Sequence, residues 1–446
     1  MNKIPLSSLF LSLLGMSMTV TTASAAPQAW LEADSAQAIH RRTVADFPYT
    51  VAEVTEILRS DIPELTDSMV QDWIAKRYIE TLDIDGQLRV HRKAPRNVKL
   101  LSPYFKPAPK RGARASDARI SYADSVIAFC DGKLPDGGAH KVKFRFTIAV
   151  PPHQELTGDT LRAWLPLPIE SDRQYGFKLL ETSQPGYILT PAGVSPHCTI
   201  YFEKPASDST SVFSYTAEYI TCGQYYSPEY IEAHIQPYDK DSEDYTYYTS
   251  EEYPHIVYLP ELAAEITAGE TDPFKCSEMV YDYIINKFPW AGAREYSTLE
   301  CIPTYVEREG HGDCGQVALL YISLMRTLGI PARWESGWML HPGEKNLHDW
   351  AEVYFEGIGW VPVDVSFGRY TRASDPRTVN FYSTGMDSYR FATNTGVCGP
   401  LFPEKKYVRS ETVDFQLGEV ECSQGNLFYP AWNQNFEILE ITPFTR

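Results

Sequence analysis

The sequence is poor in basic residues for its length, with 40 Lys and Arg against 58 Asp and Glu over 446 residues. The formal net charge of -18 and a pI of about 5.0 argue against nucleic acid and anionic membrane as partners. Long hydrophobic runs are also missing beyond the N-terminus, since no later segment reaches about 18 uninterrupted apolar residues. A membrane span is therefore not expected.

Cysteine is sparse and scattered. The eight cysteines stand at positions 130, 198, 222, 276, 301, 314, 398 and 422, which is not the dense spacing of a small disulfide-stapled domain. No Cys-x-x-Cys or His-x-x-x-His pair completes a zinc ligand set, so His311 and Cys314 are not expected to bind a metal. The acidic run 239–244 lacks the glycine and distal glutamate of an EF-hand and is expected to be a solvated loop. No cofactor and no metal are predicted.

Residues 1–25 have the pattern of a secretory signal peptide, with a positive charge at Lys3, an apolar stretch through Leu14 and Ala-Ser-Ala before Ala26. The mature chain is therefore expected to be exported, to the periplasm or outside the cell. No cysteine follows before Cys130, so a lipid-anchored start is unsupported. In an oxidising compartment, a disulfide is the default expectation for any cysteine.

The length predicts two or three domains. Residues 26–92 predict a helical region that ends in a β-hairpin, because Thr50 and Glu53 match a capping box and Asp85-Gly86 separates two alternating runs. Residues 93–118 are rich in Pro, Lys and Arg and are predicted to be an extended basic linker.

Residues 119–254 contain several runs that alternate apolar and polar side chains, which predicts a β-sandwich-like domain. From 255 to 446 the pattern changes to helices followed by strands, which is typical of an α+β domain. Asp272-Pro273 provides a cap and a first-position proline for one of its helices. Residues 413–439 are expected to complete the sheet of this last domain or to cover its groove.

Cys314 is predicted to begin a helix. Asp313 and Gln316 form the Asp variant of a capping box, and an apolar stripe follows until Gly329. At the first helical position, free backbone N–H groups and the positive end of the helix dipole favour a thiolate. The pKa of Cys314 is therefore expected to fall.

A β-hairpin downstream supplies a candidate base. Residues 348–355 and 358–367 alternate as two strands. A three-residue turn from Phe355 to Gly357, with the glycine in the left-handed conformation, would pair Tyr354 with Ile358.

The same register would place His348 directly opposite Asp364. Opposed side chains have Cβ atoms about 5 Å apart, so that the carboxylate can accept the ring N–H and orient the histidine. Cys314, His348 and Asp364 would then form a nucleophile, base and orienter set.

These blocks resemble the transglutaminase-like superfamily, whose pattern runs Cys, Gly-Ile-Pro-Ala-Arg, His-x-Trp-x-Glu and Gly-Trp-x-x-x-Asp. The corresponding stretches are Cys314, "GIPAR" at 329–333, "HDWAE" at 348–352 and "GWVPVD" at 359–364. The resemblance covers roughly residues 255–370. It implies a multidomain α+β protein, in which a papain-like catalytic domain follows the β-sandwich and the helical N-terminal region. It also implies that Cys314 is the nucleophile, His348 the base and Asp364 the orienting carboxylate.

One position departs from the family pattern. Asp349 stands in the middle of His-x-Trp, where a small or apolar residue is common, and is expected to affect substrate fit while leaving the triad intact. The backbone N–H of Cys314 is one candidate oxyanion donor, and the resemblance suggests an upstream aromatic residue, here Trp290, as another. A core or groove-wall role for Trp290 is an equally good interpretation. Trp350 is a further candidate for the groove, and Glu352 is either a second acid or a cross-strand partner.

Three classes of function compete. A hydrolase that cuts a peptide or other amide bond is favoured, because water is always present and no amine-acceptor site is evident. A transglutaminase that joins glutamine to an amine is the second, and a binding module that kept only the fold is the third. The expected substrate is a peptide or protein, with a cell-envelope peptide suggested by export alone. The oligomeric state is not predicted.

Overall fold

The computed structural model describes residues 30–106, 110–130, 137–252 and 254–445, so the predicted signal segment 1–25 lies outside the described residues. No helix in these ranges is long and apolar enough to cross a membrane. The helices are α1 (Ser35–Asp46), α2 (Val51–Arg59), α3 (Asp67–Ala75), α4 (Ala94–Leu101), α5 (Asp117–Cys130), α6 (Pro228–His234), α7 (Glu243–Thr249), α8 (Pro260–Thr267), α9 (Pro273–Lys287), α10 (Ile302–Glu309), α11 (Cys314–Thr327) and α12 (Pro376–Val379).

The strands are β1 (Leu31–Glu32), β2 (Thr81–Ile84), β3 (Gln87–Val90), β4 (Gly137–Val150), β5 (Thr160–Pro166), β6 (Gln174–Thr182), β7 (Tyr187–Leu189), β8 (Thr199–Pro205), β9 (Ser211–Tyr225), β10 (Ala332–Met339), β11 (Asn346–Phe355), β12 (Gly359–Val363), β13 (Gly385–Met386), β14 (Arg390–Asn394), β15 (Glu419–Glu421), β16 (Asn426–Leu427) and β17 (Asn433–Phe444). They form sheets with the orders β12-β11-β10-β14, β13-β9-β4-β17 with β6 beside β9, β1-β16-β15-β5-β8-β7, and β2-β3. The protein is thus a mixed α and β structure, as predicted.

The N-terminal region shows the two local signals read from its sequence. Thr50 caps α2 in a capping box with Glu53, and β2 and β3 pair across Asp85-Gly86 as a hairpin. The segment 93–118 differs from the extended linker that its composition predicts. It contains α4, whose Val98 belongs to the N-terminal core and whose Leu101 is also buried, and the start of α5. The few apolar residues of this basic segment recur at helical spacing, and their burial holds it against its neighbours.

Two sheets share one hydrophobic core. Val142, Phe144, Phe146 and Ile148 of β4 pack with residues of β5, β8 and β9 in a single cluster of buried side chains. Strand β17 also joins this core, because it pairs with β4 along nearly its whole length. The expectation that 413–439 would complete the sheet of the last domain was therefore wrong for β17. Pairing between strands almost 300 residues apart leaves no local pattern in the sequence.

Helix α11 is the centre of the region that carries the sequence motifs. Val317, Leu320 and Leu324 are completely buried and pack with Val353 and Val361 of the sheet β12-β11-β10-β14. The helix is buried on all sides because its sequence, "CGQVALLYISLMRT", is apolar around most of its circumference. This packing fixes the position of its first residue, Cys314.

We expect the substitution Phe436→Ala to lower the free energy of unfolding by about 3–5 kcal/mol, because large-to-small changes in a packed core leave a cavity. Phe436 on β17 is 1% exposed and contacts Phe144, Trp338 and Phe391 with ring centroids 4.8–5.2 Å apart. Urea unfolding followed by tryptophan fluorescence measures the change. Leu439→Ala on the same strand is the control, since Leu439 is 39% exposed and should change stability by only about 0.5 kcal/mol. Equal effects of the two substitutions would contradict the packing role of β17.

Candidate active site

Cys314 is the first residue of α11 and is a free thiol. The side chain of Asp313 accepts a hydrogen bond from the Gln316 backbone N–H at 3.1 Å, and the Gln316 side chain accepts one from the Asp313 N–H at 3.2 Å. The predicted capping box is therefore present. It places the sulfur at the N-terminal end of a helix whose remaining turns are anchored in the core.

The sulfur of Cys314 contacts a carboxyl group. Its thiol donates to Asp349 Oδ2 at 3.4 Å, while Oδ1 of Asp349 accepts a hydrogen bond from Gln416 Nε2 at 2.6 Å. Burial raises the pKa of Cys314 well above its usual value, and the charges of Asp349 and Asp313 raise it further. The expected fall in this pKa was wrong. A helix terminus contributes about 0.3–1 kcal/mol, whereas removing a thiolate from water beside carboxylates costs more.

His348 and Asp364 form a buried pair. Nε2 of His348 lies 2.7 Å from Oδ2 of Asp364. Burial lowers the pKa of His348 by more than Asp364 raises it. Burial alone would raise the pKa of Asp364, but His348, Arg390 and the Phe367 backbone N–H together lower it. An ionised Asp364 therefore accepts the Nε2–H of a neutral His348, which leaves Nδ1 as the basic nitrogen.

The hairpin register differs from the predicted one by two residues. Tyr354 pairs with Trp360, and Phe355 with Gly359, because both Gly357 and Gly359 adopt positive φ and the turn closes one residue later. An even shift keeps each side chain on its face of the sheet. His348 therefore becomes the diagonal neighbour of Asp364, at a Cβ distance of about 7 Å that an imidazole and a carboxylate can bridge.

Cys314 and His348 line the same cavity, which has a volume of about 1060 Å³ and is called the Cys314 cavity below. Of the three residues of the predicted triad, the structure brings His348 and Asp364 into contact. The hydrogen bond described for the Cys314 sulfur is to Asp349 instead. Trp290 also lines this cavity and is half-buried. Gln416 and Asp414 line the cavity as well. Part of the stretch 413–439 therefore borders the groove, which was one of the two expectations for this stretch.

Trp350 does not have the groove position predicted for it. It is completely buried, and its indole N–H donates to Glu335 Oε2 at 2.6 Å. Its ring stacks on that of His348, with centroids 6.0 Å apart. Glu352 pairs with Arg333 at 2.6 Å and Arg173 at 3.1 Å, which favours the cross-strand structural interpretation over a second acid. Alternation along β11 shows which side chains share a face but not which face is covered.

Arg111 is a site residue that the sequence analysis missed. Its guanidinium donates to the carbonyl oxygens of Phe288 at 2.8 Å and Gly312 at 2.6 Å, and to Ser366 Oγ at 3.1 Å. Burial lowers its pKa to about 10, against the charges of Cys314, Asp313 and Asp364, which raise it. It thus connects the loop before the cysteine with the loop after Asp364. Its place in a basic, proline-rich run gave no signal of burial.

Gly315 allows the close packing beside the sulfur. A Cβ atom there would lie 2.5 Å from Tyr296 Oη and 2.7 Å from Asp349 Oδ2. Tyr296 in turn donates to Asp313 Oδ1 at 2.5 Å. Only a residue without a side chain lets Tyr296, Asp349 and the start of α11 approach each other in this way.

Part of the chain matches a known protein family. Residues 260–365 match the family model described as the Transglutaminase-like superfamily, so the chain contains a transglutaminase-like core domain. An uncharacterised protein of Haemophilus influenzae is 28% identical over 156 residues, which is 28% of this chain and 41% of that protein. Uncharacterised protein YebA of Bacillus subtilis is 29% identical over 154 residues, which is 29% of this chain and 20% of that protein. The chain therefore matches less than half of the length of each.

Two solved structures are more distantly similar. A proposed cysteine protease of Cytophaga hutchinsonii has a TM-score of 0.46 and 16% identity, over 70% of this chain and 93% of that one. The periplasmic domain of TgpA from Pseudomonas aeruginosa has a TM-score of 0.27 and 14% identity, over 58% of this chain and 92% of that one. Similarity at this level leaves the activity of the present chain to be inferred from its own site.

We expect Asp349→Asn to lower the pKa of Cys314, because the substitution removes a negative charge that disfavours the thiolate. The measurement is the pH dependence of Cys314 alkylation by iodoacetamide, with the adducts quantified by peptide mapping. The midpoint should move to lower pH. Cys398 is the internal control, since it is exposed and does not line the cavity. An unchanged or higher midpoint at Cys314 would show that Asp349 does not control the thiol.

Proposed function

We propose that this protein is an exported thiol acyl-transfer enzyme that acts as a cysteine peptidase or amidohydrolase. Cys314 is the nucleophile, His348 the general base and Asp364 the group that orients His348. The main support is one observation. His348, which contacts Asp364 at 2.7 Å, lines the same cavity as Cys314, a free thiol at the capped start of a core helix.

The geometry supports a mechanism that starts from neutral groups. Because burial raises the pKa of Cys314 and lowers that of His348, the resting pair is a thiol and a neutral imidazole. Nδ1 of His348 takes the thiol proton as the sulfur attacks an amide carbonyl, and Asp364 stabilises the imidazolium. The imidazolium then protonates the leaving amine, which leaves a thioester on Cys314. Water hydrolyses this thioester, with His348 again acting as the base.

The oxyanion formed during attack needs hydrogen-bond donors. The backbone N–H of Cys314 is one candidate, because the first N–H groups of a helix have no partner within the helix. Trp290 is the other, since it borders the Cys314 cavity and its backbone forms a bridge with Gly312, two residues before the cysteine.

The remaining parts of the proposal concern location and organisation. The signal-peptide pattern of residues 1–25 supports export to the periplasm or the outside of the cell, where cell-envelope peptides are available substrates. The two sheets with a common core support an accessory β-sandwich domain, with the N-terminal helices and a papain-like catalytic domain around it.

The proposal predicts that Cys314→Ser and His348→Gln lower kcat/KM for peptide cleavage by about a thousandfold or more, because nucleophile and base act as one unit. The measurement is mass spectrometry of a peptide pool incubated with the purified protein. Cys398→Ser is the matched control, since it also removes a thiol and lies outside the cavity. Cleavage that survives both triad substitutions would refute the enzyme assignment.

Hydrolysis and amine transfer are separated by the fate of the thioester. For a hydrolase, we expect new peptide termini or carboxylates and no incorporation of a labelled primary amine. Ammonia release from glutamine peptides with stoichiometric uptake of the amine would instead identify a transglutaminase. Binding of peptides without any covalent change in them would favour the non-catalytic alternative.

A further inference from the structure

The Cys314 cavity has an unusual charge distribution for so acidic a protein. The chain has a net charge of -18, yet residues 92–119 contain nine Lys and Arg and one acidic residue, Asp117. Most of these basic residues line the Cys314 cavity. Positive charge is therefore concentrated where a substrate would enter, although the protein as a whole repels anions.

Most of the basic residues that line the cavity already have partners within the protein. Arg92 pairs with Asp46 and Arg119 with Glu344, both at 2.6 Å, and Arg111 is occupied by the contacts described above. Lys110 donates to the neutral side-chain oxygen of Asn286. Arg96 and Arg114 differ from these residues. Both are exposed and line the cavity, and in the described part of the chain neither has a carboxylate within ion-pair distance. They form the guanidinium pair considered below.

Arg96 is held in place from two sides. Its guanidinium lies over the ring of Trp290, 4.9 Å from the centroid. The next residue, Asn97, exchanges two hydrogen bonds with the backbone of Gly292, at 2.8 and 3.1 Å. Helix α4 is thus attached to the segment that leads to the cysteine. A guanidinium fixed in this way loses little entropy when it binds a carboxylate.

Arg114 lies in a rigid turn. The N–H groups of Ala113 and Ala115 donate to the carbonyl oxygens of Lys110 and Gly112, at 3.1 and 3.0 Å. Gly112 packs so closely that a Cβ atom there would lie 2.5 Å from two carbonyl oxygens of the segment after Asp364. The turn that carries Arg114 is therefore a fixed part of the cavity wall.

Acidic side chains also line the cavity, but burial opposes the ionisation of several of them. Burial raises the pKa of Asp349 and Glu411 well above their usual values, and that of Asp414 to about 7. These three carboxyls are therefore harder to ionise than free ones, while an exposed guanidinium remains charged. Lys93, which also lines the cavity, is half-buried and faces Asp313 and Asp46.

From this arrangement we infer that the Cys314 cavity selects acidic peptides, whose carboxylates bind the guanidiniums of Arg96 and Arg114 while the acyl group is presented to Cys314. Arg is suited to this task because its planar fork matches the two oxygens of a carboxylate. The selection is for a class of substrate, namely peptides with glutamate or aspartate side chains or free carboxyl groups near the reacting bond. The inference rests on the proposed function for the chemistry at Cys314, but not for binding.

The test measures binding without turnover. The full mature chain with Cys314→Ala is titrated into fluorescent peptide sets that are identical except for Glu in one and Gln in the other, and anisotropy gives Kd. We expect the Glu set to bind about tenfold more tightly at low salt and to lose this preference at high salt. Arg96→Gln and Arg114→Gln should each reduce the preference about threefold, and the double substitution should abolish it.

Lys99→Gln is the matched control. Lys99 is also an exposed basic residue of α4, but it pairs with Asp61 at 2.7 Å and does not line the cavity, so its substitution should leave the preference unchanged. Equal binding of the two peptide sets, a preference that survives the double substitution, or no binding of any peptide would overturn the inference. Charge-selective binding without turnover by the intact protein would count against the proposed function alone. Turnover of Glu and Gln peptides at equal rates would count against the inference alone.

Discussion

The burial of Arg111 is the constraint on which the site geometry depends. A buried guanidinium is stable only when its donors are satisfied, and here the acceptors come from the loop before Cys314 and from the loop after Asp364. The segment that carries Arg111 packs on the second loop so tightly that only glycine fits at 112 and 368. The relative position of Cys314 and Asp364 therefore depends on a residue outside the family match at 260–365.

The Cys314 thiol lies among buried carboxyls, and both its burial and these neighbours disfavour its ionisation. Burial and the neighbouring Asp313 and Asp349 keep Cys314 protonated, so the resting site holds a neutral thiol and a neutral imidazole instead of an ion pair. Removal of the proton from such a thiol would need a nearby base, and His348 lines the same cavity. Most of the basic residues of 92–119 line the same cavity as these carboxyls.

Sequence reasoning succeeded where the governing interaction is local and failed where it is not. The capping box at Asp313 involves residues three apart, and its hydrogen bonds are present. The register of β11 and β12 was missed by two residues because Gly359 also takes a positive φ, yet the contact of His348 with Asp364 survived because an even shift preserves the face. The complete burial of Trp350 was not predicted, because alternation of apolar and polar residues does not show what covers each face of a sheet.

Local sequence patterns were enough to predict the mixed α and β character, the helix that begins at Cys314 and the face of the hairpin that His348 and Asp364 share. Each follows from hydrogen bonds or periodicity within a few residues. Long-range packing, by contrast, places Asp349 against the sulfur, brings Arg111 from a basic, proline-rich segment into the site, and pairs β17 with β4. These features arise from the burial of groups distant along the chain, where the neighbours that stabilise a charge or complete a sheet are set by packing.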